Sequence, residues 1–117
     1  MKLRIQEDSL RLRLTRKEVA GLRERGRVEC AIRFSEDRVL RYSVSSSPDA
    51  SAVSVLYEGD FIRVVLPRAV ASAWADSDSV TIEGSESGVK ILVEKDFQCL
   101  HNSAERDPEA YPNPLAG

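Results

Sequence analysis

The chain has 117 residues, 42% hydrophobic and 31% charged, with a formal net charge of −2. That is enough for one soluble domain with a real core, and too apolar for a disordered segment. Two cysteines, Cys30 and Cys99, exclude a disulfide framework, and no apolar run approaches the length that crosses a bilayer.

The charge is unevenly spread. Residues 1–33 hold ten Lys/Arg against five Asp/Glu, and the rest of the chain reverses that balance. A polarity of this kind can draw a polyanion to one end, or let the two parts attract each other. The start of the chain is charged and strand-like, without the apolar core of a signal peptide. The expectation is a cytoplasmic protein of a bacterial kind, with no membrane partner.

Lys2 to Gln6 and Ser9 to Leu14 alternate apolar and polar residues, the mark of half-buried strands. Leu10, Leu12 and Leu14 point one way, Arg11 and Arg13 the other. Thr15-Arg16-Lys17-Glu18 is a capping box opening a helix. Val19 and Leu22 are its apolar contacts, and Gly26 stops it. Arg27 to Phe34 and Arg38 to Ser47 are the next two strands, and the Ser/Pro run from Ser45 to Asp49 reads as a seam.

The same plan then recurs. Ser51 to Tyr57 and Phe61 to Leu66 form a hairpin, and Pro67 starts a helix in which Val70 and Trp74 face the core. Val80 and Ile82 begin the next strand, Gly84 to Gly88 form a turn, and Val89 to Glu94 closes the unit. From 95 to 117 the chain is an acidic tail whose prolines forbid long regular structure, pinned at its start by Phe97 and Leu100.

At an offset of 52 positions, Leu10, Leu12 and Leu14 fall on Ile62, Val64 and Leu66. Leu22 falls on Trp74, Val28 on Val80, Cys30 on Ile82, and Val39 on Ile91. No insertion is needed between Asp8 and Tyr42. Two ββαββ units, 1–47 and 51–94, therefore form one domain spanning residues 1–94, and matched apolar places carry the repeat. The shared core should comprise Leu10, Leu12, Leu14, Leu22, Val28, Ile62, Val64, Leu66, Trp74, Val80 and Ile82.

The candidate polyanion-binding residues are Lys2, Arg4, Arg11, Arg13, Arg16 and Lys17. Alternation puts the first four on the solvent side of two adjacent strands, where they can meet phosphates. No aromatic residue is interleaved, so stacking on single strands is not indicated. The bland alternative is a solvated face balanced by acids from elsewhere. Cys99 and His101 flank Leu100 and are candidate metal ligands, but zinc wants four and the chain holds no second histidine. No phosphate loop, HExxH or nucleophile elbow is present. Asp8 and Asp60 match across the repeat but read as hairpin residues. The chain is read as a non-enzyme without a cofactor.

Ser9 to Val19, Gly26-Arg27-Val28, Ile62 to Arg68 and Asp78-Ser79-Val80 resemble units of the AbrB/MazE swapped-hairpin family. The resemblance implies a mostly-β α+β fold in which two units interleave as a barrel about a two-fold axis. Here both units would lie in one chain, as a pseudo-dimer. It implies binding of duplex DNA by a basic face, or pairing with a toxin through an acidic tail. Thr15 stands where that family has proline, and the second unit is poor in basic residues. As a whole, the chain also resembles a small bacterial family of unknown function, through Met1 to Ile5, Ile91 to His101 and Tyr111 to Pro114. The expected protein is a DNA-binding regulator, monomer or homodimer. The alternatives are a protein-interaction module using residues 95–117, or a metal-binding protein using Cys99 and His101.

Overall fold

The computed structural model describes residues 1–97. Its elements run β1 (Lys2–Gln6), β2 (Ser9–Leu14), α1 (Arg16–Arg25), β3 (Arg27–Arg33), β4 (Val39–Ser47), β5 (Ser54–Glu58), β6 (Phe61–Pro67), α2 (Arg68–Ala75), β7 (Thr81–Glu86) and β8 (Val89–Lys95). Eight strands and two helices give the mostly-β α+β class and the expected ββαββ order in each half.

Local chemistry sets the helix ends. Thr15 accepts from the Glu18 amide while the Glu18 carboxylate accepts from the Thr15 amide, completing the capping box. Gly26, at φ 77°, ends α1 in the left-handed conformation that a side chain disfavours. Pro67 occupies the N-cap of α2 without a side-chain cap, and the helix ends at Asp76.

The strands pair between the halves. One sheet has the order β1-β2-β8-β7 and the other β3-β4-β6-β5. The hairpin before each helix thus joins the hairpin after the other helix, through the parallel pairs β2–β8 and β4–β6. Two open four-stranded sheets result, and no barrel closes among the described residues. One core lies between their inner faces and the helices: Leu12 and Leu14, Val64 and Leu66, Val44, Ile82, Ile91 and Val93, with Leu22, Ala71 and Trp74. Burying such side chains contributes about 1.5–3 kcal/mol each.

The pairings correct the repeat register. Lys2 lies opposite Arg13, and Ser54 opposite Val65, each 52 residues on. Beyond the helices that offset fails. Ser9 pairs with Lys90 while Phe61 pairs with Arg41, so β8 follows β4 by 49. Ser45 faces Arg27 and Glu94 faces Thr81, so β7 follows β3 by 54. Two residues are inserted after α2, and the second hairpin turn is shorter.

The hydrogen bonds follow the corrected register. The Ser46 amide donates to the Gly26 carbonyl at 2.9 Å, and the Lys95 amide to the Val80 carbonyl at 3.1 Å. The Arg41 amide donates to Asp60 and the Lys90 amide to Asp8. Cys30 therefore corresponds to Gly84, not Ile82.

Val80 is 43% exposed and Val70 41% exposed, so neither joins the core. Val80 sits in the longer connection after α2 and acts through its carbonyl, which also accepts from Trp74 Nε1 at 2.9 Å. Leu10 and Val28 are half-buried against the core. The turn near residue 87 is only Ser87-Gly88, both at positive φ, and Gly84 lies within β7. Ser45 to Ser47 belong to β4, and β5 starts at Ser54, so the seam is the short segment between them. Phe97 is 59% exposed, at the rim of the cleft beside α2; Leu100 lies outside the described residues.

Candidate nucleic-acid interface

Strand register brings four of the six candidate cations together. Lys2 faces Arg13, and Arg4 faces Arg11, across the β1–β2 hairpin. Leu3, Leu10 and Leu12 pack toward the core, so alternation turns the four cations outward. Directly opposed residues have Cβ atoms about 4.5–5.5 Å apart, and like charges so placed are destabilising. Along each strand the cations recur every second residue, about 6.8 Å apart. The result is a two-by-two block of positive charge.

The neighbouring strand partly balances it. Glu94 of β8 lies beside Arg13 in register and meets both Arg11 Nε, at 3.3 Å, and Arg13 Nε, at 3.4 Å. Lys2 Nζ reaches Asp96 at 3.2 Å. Arg4 has no carboxylate within 4.0 Å among the described residues; its guanidinium donates to Gln6 at 3.2 Å. Leu92 faces outward beside Arg11 yet is only 9% exposed. Arg11 flanks it on one side and Glu83 on the other, and side-chain stems of that length shield apolar surface.

Arg16 and Lys17 are not part of this block. Both are exposed in the first turn of α1, where the helix dipole is unfavourable to cations. Arg16 opens on a cleft beside α2 that Asp76 and Asp96 also line. Asp96 thus links that cleft to Lys2.

The corresponding face of the other sheet is different. At the 52-residue offset, only Arg63 retains the charge of its counterpart, Arg11; Ser54, Leu56 and Val65 replace Lys2, Arg4 and Arg13. Phe61 lies under the Arg63 guanidinium at 4.4 Å, and Glu29 pairs with both Arg27 and Arg41. The cationic block belongs to one half alone.

A polar knot that sequence inspection did not foresee lies where β1 approaches β3. Glu18 Oε2 accepts from the Met1 ammonium at 2.5 Å, and Cys30 Sγ lies 3.9 Å from the same oxygen. The Tyr42 hydroxyl donates to the Met1 carbonyl at 3.2 Å. Burial pushes the Glu18 pKa up, but the hydrogen bonds from the Met1 ammonium and from Thr15 outweigh it and hold the carboxyl below its ordinary 4.5. Burial likewise raises the Tyr42 phenol. The capping box was legible in sequence; the use of its second oxygen in a tertiary contact was not.

A group with a depressed folded pKa stabilises above its unfolded value, and that contribution is lost as pH falls through the folded value. Glu18→Gln keeps the cap and removes the charge. It should cost about 1 kcal/mol at neutral pH, and the gap from the native chain should close in acid. Urea unfolding at about pH 7 and about pH 3, either side of the carboxylate range, checks this.

Cys99 and His101 lie outside the described residues, as does most of the acidic tail. Among the described residues no group of three His, Cys, Asp or Glu side chains is placed to hold a metal, and no helix is long and apolar enough to cross a membrane.

A model of the family of unknown function DUF7009 matches residues 1–115. The chain belongs to that family. No curated protein and no solved structure matches, and nothing in the comparisons extends to the AbrB/MazE family. The DUF7009 match spans both halves and carries no assigned activity, so function is argued from the surface.

Proposed function

We propose that this protein is a non-enzymatic regulator that binds duplex DNA through the outer face of β1 and β2. The observation that carries the reading is the placing of Lys2 opposite Arg13 and Arg4 opposite Arg11. Like charges placed opposite each other are destabilising, and two carboxylates, Glu94 and Asp96, offset the four cations only in part. A polyanion reverses the sign of that interaction, and phosphate contacts of this kind supply most of non-specific DNA affinity. The exchange of hairpins between the halves supports the reading further, since the AbrB/MazE family makes such an exchange between two chains. One chain would then hold both partners of a swapped-hairpin pair about a pseudo-two-fold axis.

The cation block being confined to one half, the contact should be one-sided and not two-fold symmetric. Glu94 should lose its arginine partners as phosphates take them. The experiment is fluorescence anisotropy of a labelled duplex from about 50 to about 200 mM salt, the range over which phosphate contacts are most visible. Each phosphate-neutralising cation contributes about −0.9 to the slope of log affinity against log salt. The variant K2Q/R4Q/R11Q/R13Q should therefore lose up to about 3.6 units of slope. Failure of the native chain to bind at low salt, or an unchanged slope in the variant, ends the proposal.

A second reading, a protein-interaction module, is favoured by the exposed Ile5, Ile32, Phe34 and Tyr57. Contiguous exposed apolar surface marks a protein contact, and Ile32 and Phe34 stand two residues apart at the end of β3. Residues 95–117, the acidic arm assigned to that role from sequence, lie almost wholly outside the described residues.

A further inference from the structure

Two clefts flank the helix pair, because the start of each helix lies beside the end of the other. One cleft, already described, mixes Arg16, Arg23 and Lys95 with Glu24, Asp76 and Asp96. The other lies between the end of α1 and the start of α2, has a volume of about 300 Å³, and is lined by Arg23, Arg25, Arg68 and Glu24 with Ser46 and Ser72. Its cations outnumber its acids three to one.

We propose that this second cleft binds the phosphate group of a small phosphorylated ligand. Arg23 is held by Asp76, through Nε at 3.1 and 3.2 Å from the two carboxylate oxygens. Among the described residues, neither Arg25 nor Arg68 has a carboxylate within 4.0 Å. Two arginines without an ion-pair partner therefore line one concavity with two serines, and a single carboxylate, Glu24, stands against three cations. Guanidinium forks match phosphate oxygens in geometry as well as charge.

Gly21 lies beneath the Arg25 side chain. It is a buried glycine inside α1, where glycine is a poorer helix former than alanine. A Cβ there would stand 2.5 Å from Arg25 Nη2. The missing side chain lets the Arg25 guanidinium lie back along the helix. The corresponding position of α2, at the 52-residue offset, is Ala73, which carries a Cβ and is exposed. The lining is mostly polar and the cleft is at the small end of ligand sites, so it suits an ionic group and not an apolar body.

The cleft residues are distinct from the four cations assigned to DNA, so the two ideas fail separately. The test is isothermal titration calorimetry of the full chain with sodium pyrophosphate, at ionic strength matched with sodium chloride. The native chain should bind, and R25A/R68A should bind at least about tenfold more weakly, as loss of two charge-assisted contacts implies. Both residues are exposed, and circular dichroism checks that the variant folds. K2Q/R4Q/R11Q/R13Q should bind pyrophosphate as the native chain does. Absence of binding by the native chain, or equal affinity in R25A/R68A, overturns the proposal. So does loss of binding in the β1–β2 variant alone, which would put the anion on the sheet.

Discussion

Trp74→Ala should lower the unfolding free energy by about 3–5 kcal/mol, the range for removing a large aromatic from a packed core. Trp74 is 3% exposed and belongs to the cluster shared by both sheets. It also does something its counterpart Leu22 does not. Its indole N–H donates to the Val80 carbonyl, and Lys95 Nζ stands 5.4 Å over its ring. Lys95 in turn donates to the Ser77 carbonyl at 2.6 Å. The two residues inserted after α2 are therefore fastened by one ring and one ammonium. Trp74→Phe separates the contributions: it keeps most of the packing and loses the hydrogen bond, so it should cost about 1–2 kcal/mol. Val70→Ala, on the exposed side of the same helix, should stay within about 0.5 kcal/mol of the native chain. Equilibrium urea unfolding of the three variants orders them. Equal losses in Trp74→Ala and Val70→Ala would mean that α2 does not pack as described.

Structure decided by a local rule is legible in the sequence, and structure decided by a pairing partner is not. Thr15 to Glu18 announce their cap within one helical turn, and Gly26 announces a stop. The strands from Lys2 to Leu14 show clean alternation because one face is solvated. The register corrections all lie after α2. The shift from 52 to 54 is even, so it leaves the inward–outward parity of β7 intact. Val80 and Ile82 therefore imitated Val28 and Cys30 while the true counterpart of Val28 was Ile82. The shift to 49 is odd and should have been visible. Ile91-Leu92-Val93 hid it, because three consecutive apolar residues have no readable parity. Leu92 in fact faces outward, between Arg11 and Glu83. Long-range neighbours were equally hidden. Nothing local connects Glu94 with Arg11 and Arg13; the parallel pairing of β2 with β8 does. The four cations of β1 and β2 were legible as a set, and their partial neutralisation was not.

Gly84→Ala should be the most damaging single methyl added to the chain, at about 3 kcal/mol, the upper part of the range for overpacking. A Cβ on Gly84 would stand 2.5 Å from the Cβ of Val53 and 2.8 Å from its Cγ1. A Cβ cannot swing aside as the tip of a long side chain can, so the backbone of β7 or of the segment before β5 must move. These two lie at the approach of the edge strands of the two sheets, where Glu86 Oε2 also accepts from the Val55 amide at 2.6 Å. The contact therefore ties the sheets together as well as filling space. In the other half the same two positions hold Met1 and Cys30, and the approach is spanned by Glu18 and Tyr42 instead. One approach is made by close packing over a glycine, the other by a polar knot. The rescue follows from the geometry: Val53→Gly removes the atoms that collide. It should cost stability alone, yet restore part of the loss in the Gly84→Ala background. The double-mutant cycle measures the coupling, expected at about 1–2 kcal/mol in favour of the pair. Strict additivity would show that Gly84 is required for its own backbone and not for the approach of Val53. Its φ is not among the positive ones, so its conformation gives no separate reason for a glycine there.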